Sequence, residues 1–183
     1  RYGLITHWAP GSFDDVWVDP GVFAPLSETF ARPPPSSWVR SGQWNTTGGP
    51  LNSTAIGSAD ILATQCACWH TNFRQKARLL NEFGASGNLV GLVYNYQTSG
   101  LYAGDYYEVV FSPTGIARVN KVIQGTRYLV ASASHGVPRN VWFDVDVVRS
   151  GLSTTVLLNG KAIFDDVTHC APTEIVLTPL TSL

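Results

Sequence analysis

Apolar and polar residues alternate with a period of two along much of this chain, and turn formers cut the alternation at short intervals. From Phe73 toward Phe83, Phe73, Gln75, Ala77 and Leu79 take one face while Asn72, Arg74, Lys76 and Arg78 take the other. Tyr106–Ser112 sets Tyr107, Val109 and Phe111 against Tyr106, Glu108 and Val110. In Val141–Arg149, Phe143, Val145 and Val147 oppose Asp144 and Asp146. A period of two puts successive side chains on opposite faces of a strand, so these segments read as half-buried β-strands. Further strands are expected at Leu89–Gln97, Ala117–Gln124, Tyr128–Ser134, Thr154–Leu158 and Lys161–Phe164, with a short one in the FDDVWV run at 13–18. The gaps hold Pro113-Thr114-Gly115, Gln124-Gly125, Ser150-Gly151 and Asn159-Gly160. Asn159-Gly160 is the strongest hairpin signal, because a type I′ turn needs two residues that tolerate positive φ. No long helical pattern competes, and ARPPPSS (31–37) is loop because proline lacks the amide donor. Regularly spaced short strands define an all-β sandwich or barrel.

Composition narrows the class. Charged residues are only 14% of the chain, against 44% hydrophobic, with 17 Gly, 11 Pro and 6 Trp, the profile of an extracellular all-β domain. With 183 residues the chain is expected to form one domain: 1–25 a closing strand and linker, 26–183 the main body. A net charge of −1 gives no electrostatic case for nucleic acid, and no apolar run is long enough to span a bilayer. Three cysteines leave two readings open: one pair among Cys66, Cys68 and Cys170, or three free thiols.

From Leu26 onward the sequence resembles the laminin-G-like, concanavalin A-like jelly-roll domains of secreted glycan-active proteins. The resemblance rests on SETF followed by Trp38 and Trp44, on NLVGLVYNYQ with DYYEVVFSPTG, and on WFDVDVVRSGLSTTVLLNGKAIFD. It implies a two-sheet antiparallel β-sandwich. In that family a strand like RYGLITHWAPGSFDDVWV follows the LNGKAIFDDV hairpin and closes the domain beside its first strand. Here it stands at 1–19, so the expectation is a circular permutation, with the N-terminal strand in the usual closing position. The alternative is the tail of a preceding repeat.

The resemblance further implies a lectin-like module that binds carbohydrate on its concave sheet and is secreted. Arg74, Lys76, Arg78, Tyr106, Glu108, Arg118 and Asn120 fall on outward phases and would line one groove if their strands were neighbours. Aromatic faces stack on sugar C–H faces, and planar polar side chains direct hydrogen bonds. A structural Ca²⁺ is expected on Asp14, Asp15 and Glu28, where the closing and opening strands meet. Three other functions stay open. A polysaccharide lyase needs a group against the uronate carboxylate, a base and an acid, for which Arg74, Asn120, Tyr106 and His70 or His135 are candidates. A glycosidase would need two carboxyls, and Glu108 with Asp144 or Asp146 is the only pair to hand. The third possibility is a non-catalytic adhesion module that binds protein. Tryptophans bury a large area, so Trp44 and Trp142 are expected in the core.

Overall fold

In the computed structural model, the described residues are 2–7, 11–19, 26–32, 39–41, 44–46, 50–53, 59–63, 72–81, 88–96 and 104–168. They form fifteen strands and no helix: β1 (Tyr2–His7), β2 (Gly11–Asp19), β3 (Leu26–Glu28), β4 (Val39–Ser41), β5 (Trp44–Asn45), β6 (Leu51–Ser53), β7 (Ala59–Ala63), β8 (Asn72–Asn81), β9 (Leu89–Tyr94), β10 (Tyr106–Phe111), β11 (Ile116–Ile123), β12 (Thr126–Ser134), β13 (Trp142–Ser150), β14 (Ser153–Leu158) and β15 (Lys161–Thr168). Among these residues no helix is long and apolar enough to cross a membrane. Two antiparallel sheets face each other as a sandwich. The first runs β12-β11-β10-β9-β1-β7-β4 and the second β15-β14-β13-β8-β2-β6-β5, with β3 paired to β2.

The N-terminal residues occupy the middle of both sheets. β1 lies between β9 and β7, and β2 lies between β8 and β6. Their alternation dictates this: Tyr2 and Leu4 of β1, and Phe13, Val16 and Val18 of β2, all enter the common core. β2 also pairs with the opening strand, Val16 opposite Glu28, as the resemblance implied. Between Asp14 and Trp17 the register against β8 shifts, and Asp15 adopts φ 49°. A bulge adds a residue and re-aims the side chains after it; here Val16 turns inward and Trp17 outward.

The inter-sheet core takes the apolar phase of each long strand, including Leu79 of β8, Val109 and Phe111 of β10, Val145 and Val147 of β13 and Val156 of β14. An aromatic chain runs through it, from Tyr2 on Phe73 at 4.8 Å to Phe73 on Tyr94 at 5.3 Å and Tyr94 stacked on Tyr107 at 5.5 Å. Arg149 of β13 enters the same core, 1% exposed. Its guanidinium lies 5.8 Å over the Tyr107 ring, and its Nε donates to the Gly151 carbonyl at 3.0 Å. Burial pushes the Tyr94 hydroxyl up to about 12, with the Arg149 charge pulling the other way. Asn159 and Gly160 carry φ 49° and 78°, the pair of positive values that a type I′ turn requires.

The hairpin joining β10 and β11 is buttressed by His135, whose ring nitrogen lies 3.1 Å from the Ser112 carbonyl and whose ring meets Phe111 edge-on at 5.7 Å. Burial lowers its pKa from 6.5, partly offset by the Ser112 hydrogen bond. The folded chain therefore binds this proton less tightly than the unfolded chain. Stability contributed by His135 is complete above the unfolded value of 6.5 and falls as pH drops from there toward the lowered folded value. The melting temperature is expected to fall between pH 7.5 and 5.5 less steeply in His135→Gln than in the parent. Equal slopes would contradict this.

Candidate functional site

The polar phases of β2, β8, β13 and β14 form the outer face of the second sheet, and they line an open groove of about 570 Å³. Arg74, Lys76 and Arg78 alternate along β8 because Phe73, Gln75, Ala77 and Leu79 take the inward phase. Across the sheet Lys76 stands between Trp17 of β2 and Asp146 of β13, and Arg78 between Asp14 and Asp144. Arg74 holds Asp146 in a fork, with Nε at 3.0 and 3.1 Å from the two oxygens and Nη2 at 2.6 Å from Oδ2. That hydrogen bond raises the Arg74 pKa. Lys76 Nζ is 3.8 Å from the same Oδ2 and 5.7 Å from the centre of the Trp17 ring. The Arg78 guanidinium lies 5.4 Å over the Trp142 ring.

Trp17 and Trp142 are both partly exposed. Trp17 is level with Lys76 and Trp142 with Leu80, on strands that flank β8. Four residues along β8 and two strand spacings across it set the two tryptophans about 16 Å apart. Trp142 thus lies at the surface against Arg78, beside the groove, and is not a core residue. Its neighbour Phe143 takes the inward phase, and strict alternation sends Trp142 outward. Trp44 does meet the core, tilted on Phe13 at 5.7 Å. Sequence reasoning also missed Trp17, although buried Val16 and Val18 on either side were the signal for it.

The remaining expected groove residues lie on the other side of the molecule. Tyr106, Glu108, Arg118 and Asn120 belong to β10 and β11 of the first sheet and share its outer face. That face is largely closed: Ile5, Val93, Tyr106, Val110 and Val122 form a second buried cluster on it. Glu108 is 0% exposed and accepts hydrogen bonds from Asn120 Nδ2 and Arg127 Nε, both at 2.9 Å. The single seven-residue groove expected from the sequence is therefore two separate surfaces, because β8 and β10 belong to different sheets.

The same separation parts the catalytic casts. Arg74 stands on one outer face, Tyr106 and Asn120 on the opposite one. Burial and the Glu108 charge raise the Tyr106 pKa, which opposes its use as a base. Glu108 and the Asp144–Asp146 pair are likewise on different sheets. His70 and the three cysteines, Cys66, Cys68 and Cys170, lie outside the described residues.

Asp14, Asp15 and Glu28, the residues expected around a calcium ion, lie on the paired strands β2 and β3. Glu28 Oε1 accepts from the Phe30 amide at 2.7 Å and Asp14 Oδ1 from the Asp15 amide at 3.0 Å. Among the described residues no three acidic, histidine or cysteine groups converge.

Comparison with known proteins bears on the fold. No family model and no curated protein matches this chain. A solved carbohydrate-binding module, CBM66 from Bacillus subtilis, superposes with a TM-score of 0.63 at 14% identity, over 74% of this chain and 82% of that one. The chain thus shares the β-sandwich fold of that module.

Proposed function

We propose that this protein is a carbohydrate-binding module that holds a glycan along the outer face of its second sheet. The observation that carries the proposal is the groove itself. It is lined by Asp15, Arg74, Lys76, Arg78, Asp144 and Asp146, and two partly exposed tryptophans about 16 Å apart stand beside that lining, Trp17 against Lys76 and Trp142 against Arg78. Tryptophan faces stack on sugar rings, and planar ionic side chains hydrogen-bond their hydroxyls. The similarity to CBM66, a carbohydrate-binding module, supports the reading at the level of fold. The spacing of the aromatics suits an oligosaccharide stretch of a polymer and not a single sugar. The permuted laminin-G-like kinship and a secreted setting belong to the same proposal. They draw support from the pairing of β2 with β3 and from the low charge content.

Native affinity electrophoresis through gels that contain single polysaccharides tests the reading. The protein is expected to be retarded by at least one polymer, with the polymer's length unchanged after incubation. Free migration through every gel would remove the proposal, and a shortened polymer would replace it with catalysis.

A further inference from the structure

The groove has an asymmetry between its cations and its anions. Arg74 spends its fork on Asp146, and Lys76 leans on the same carboxylate. Arg78 lies over Trp142. The two other carboxylates of the lining, Asp15 and Asp144, have no ion-pair or side-chain hydrogen-bond partner for their oxygens among the described residues. Three cations and three anions line the groove, so its formal charge is balanced. Arg74 and Lys76 share one carboxylate, Arg78 has no carboxylate at ion-pair distance among the described residues, and Asp15 and Asp144 are open acceptors.

Such a surface asks its ligand for donors. Neutral sugars supply them as hydroxyls, and an O–H···O⁻ bond to a carboxylate is roughly twice as strong as one between neutral groups. A uronate would bring a carboxylate against Asp15 and Asp144. To gain a cation it would have to displace Asp146 from its pair with Arg74, or reach Arg78 with Asp14 and Asp144 standing opposite it on the two flanking strands. Like charges brought together across an interface are penalised, which makes this a specificity device.

We infer that the groove selects neutral polysaccharide chains and rejects uronate-containing ones, with Asp15 and Asp144 accepting sugar hydroxyls. The inference rests on the carbohydrate-binding reading and narrows its ligand class.

The test uses matched polymers. Neutral glucans, mannans, xylans, galactans and fructans are compared with the same polymers after their hydroxymethyl groups have been oxidised to carboxylates, or with glucuronate-bearing xylan. At least one neutral polymer is expected to bind, and its carboxylated form to bind at least tenfold more weakly, by a margin that narrows as salt is raised. Asp15→Asn with Asp144→Asn should weaken binding of the neutral polymer about tenfold. The same double variant should bind the carboxylated form relatively better and keep the parental melting temperature. Equal or tighter binding of the carboxylated form overturns the selectivity and leaves carbohydrate binding standing. Binding of no polymer, neutral or carboxylated, overturns both.

Discussion

Replacing Trp17 and Trp142 together by alanine is expected to abolish polysaccharide binding while leaving the sandwich folded. Binding energy concentrates in a few aromatic anchors, each worth about 2 kcal/mol on truncation, which is roughly thirtyfold in affinity. Two anchors separated by the length of the groove have no shared contact, so their losses should nearly add. The single variants should each weaken binding by about the same factor. The stability cost is smaller. Both rings are partly exposed, and each gives up one contact with a cation, Lys76 at 5.7 Å or Arg78 at 5.4 Å. Such contacts at exposed sites are worth about 0.5–1 kcal/mol, a few degrees of melting temperature in a chain of this size. Leu129→Ala is the control. That residue is 62% exposed on β12, in the first sheet, and its loss should leave affinity untouched. Undiminished binding by the double tryptophan variant would move the ligand off this groove.

Gly91→Ala is expected to cost the fold more than any other single methyl group. Gly91 is in β9, between β1 and β10 in the middle of the first sheet, where it faces Ile5 and Val110. A Cβ at this position would come within 2.0 Å of the Val109 carbonyl oxygen and 2.9 Å of the Val110 Cα. Both obstacles are backbone, so no rotamer change relieves them. The β9–β10 ladder would have to open along its length. Overpacking of a well-packed interior costs about 1–3 kcal/mol when side chains can give way, and more is expected here. About 3 kcal/mol or more corresponds to a drop of roughly 6–12 °C in melting temperature. Gly136→Ala offers the contrast, since nothing lies within 4 Å of a Cβ built there. Thermal unfolding of the two variants side by side checks the expectation. Similar curves would mean that the sheet absorbs the methyl group.

Alternation showed which side chains of the long strands turn away from the inter-sheet core, and it did not show which sheet each strand joins. Alternation placed Arg74, Lys76 and Arg78 outward on β8 and Asp144 and Asp146 outward on β13, and the structure has them there. A period of two is a property of one strand. It says nothing about partners, and here β1 joins β9 although more than eighty residues separate them. Arg74 and Tyr106 could therefore be read as neighbours until pairing put them in different sheets. Outward phase was also not the same as exposure. Glu108 points away from the inter-sheet core and is still fully buried, because the outer face of the first sheet carries an apolar cluster of its own. Trp142 was misplaced for the opposite reason: average burial of tryptophan was weighed above the alternation of Phe143, Val145 and Val147, which pointed the right way. The short strands β4 to β7 left no signal, since two to five residues are too few for a period to register.

The central claim is that a glycan is held on one face of the sandwich, and an amide chemical-shift map tests it most directly. The ¹⁵N-labelled protein would be titrated with an oligosaccharide cut from a polymer that retards it. Shifts are expected to concentrate on β2, β8, β13 and β14, largest around Trp17, Lys76, Arg78, Trp142 and Asp144, with β10 to β12 silent. Shifts centred on Tyr106, Glu108, Arg118 and Asn120 would contradict it and place the ligand on the opposite face.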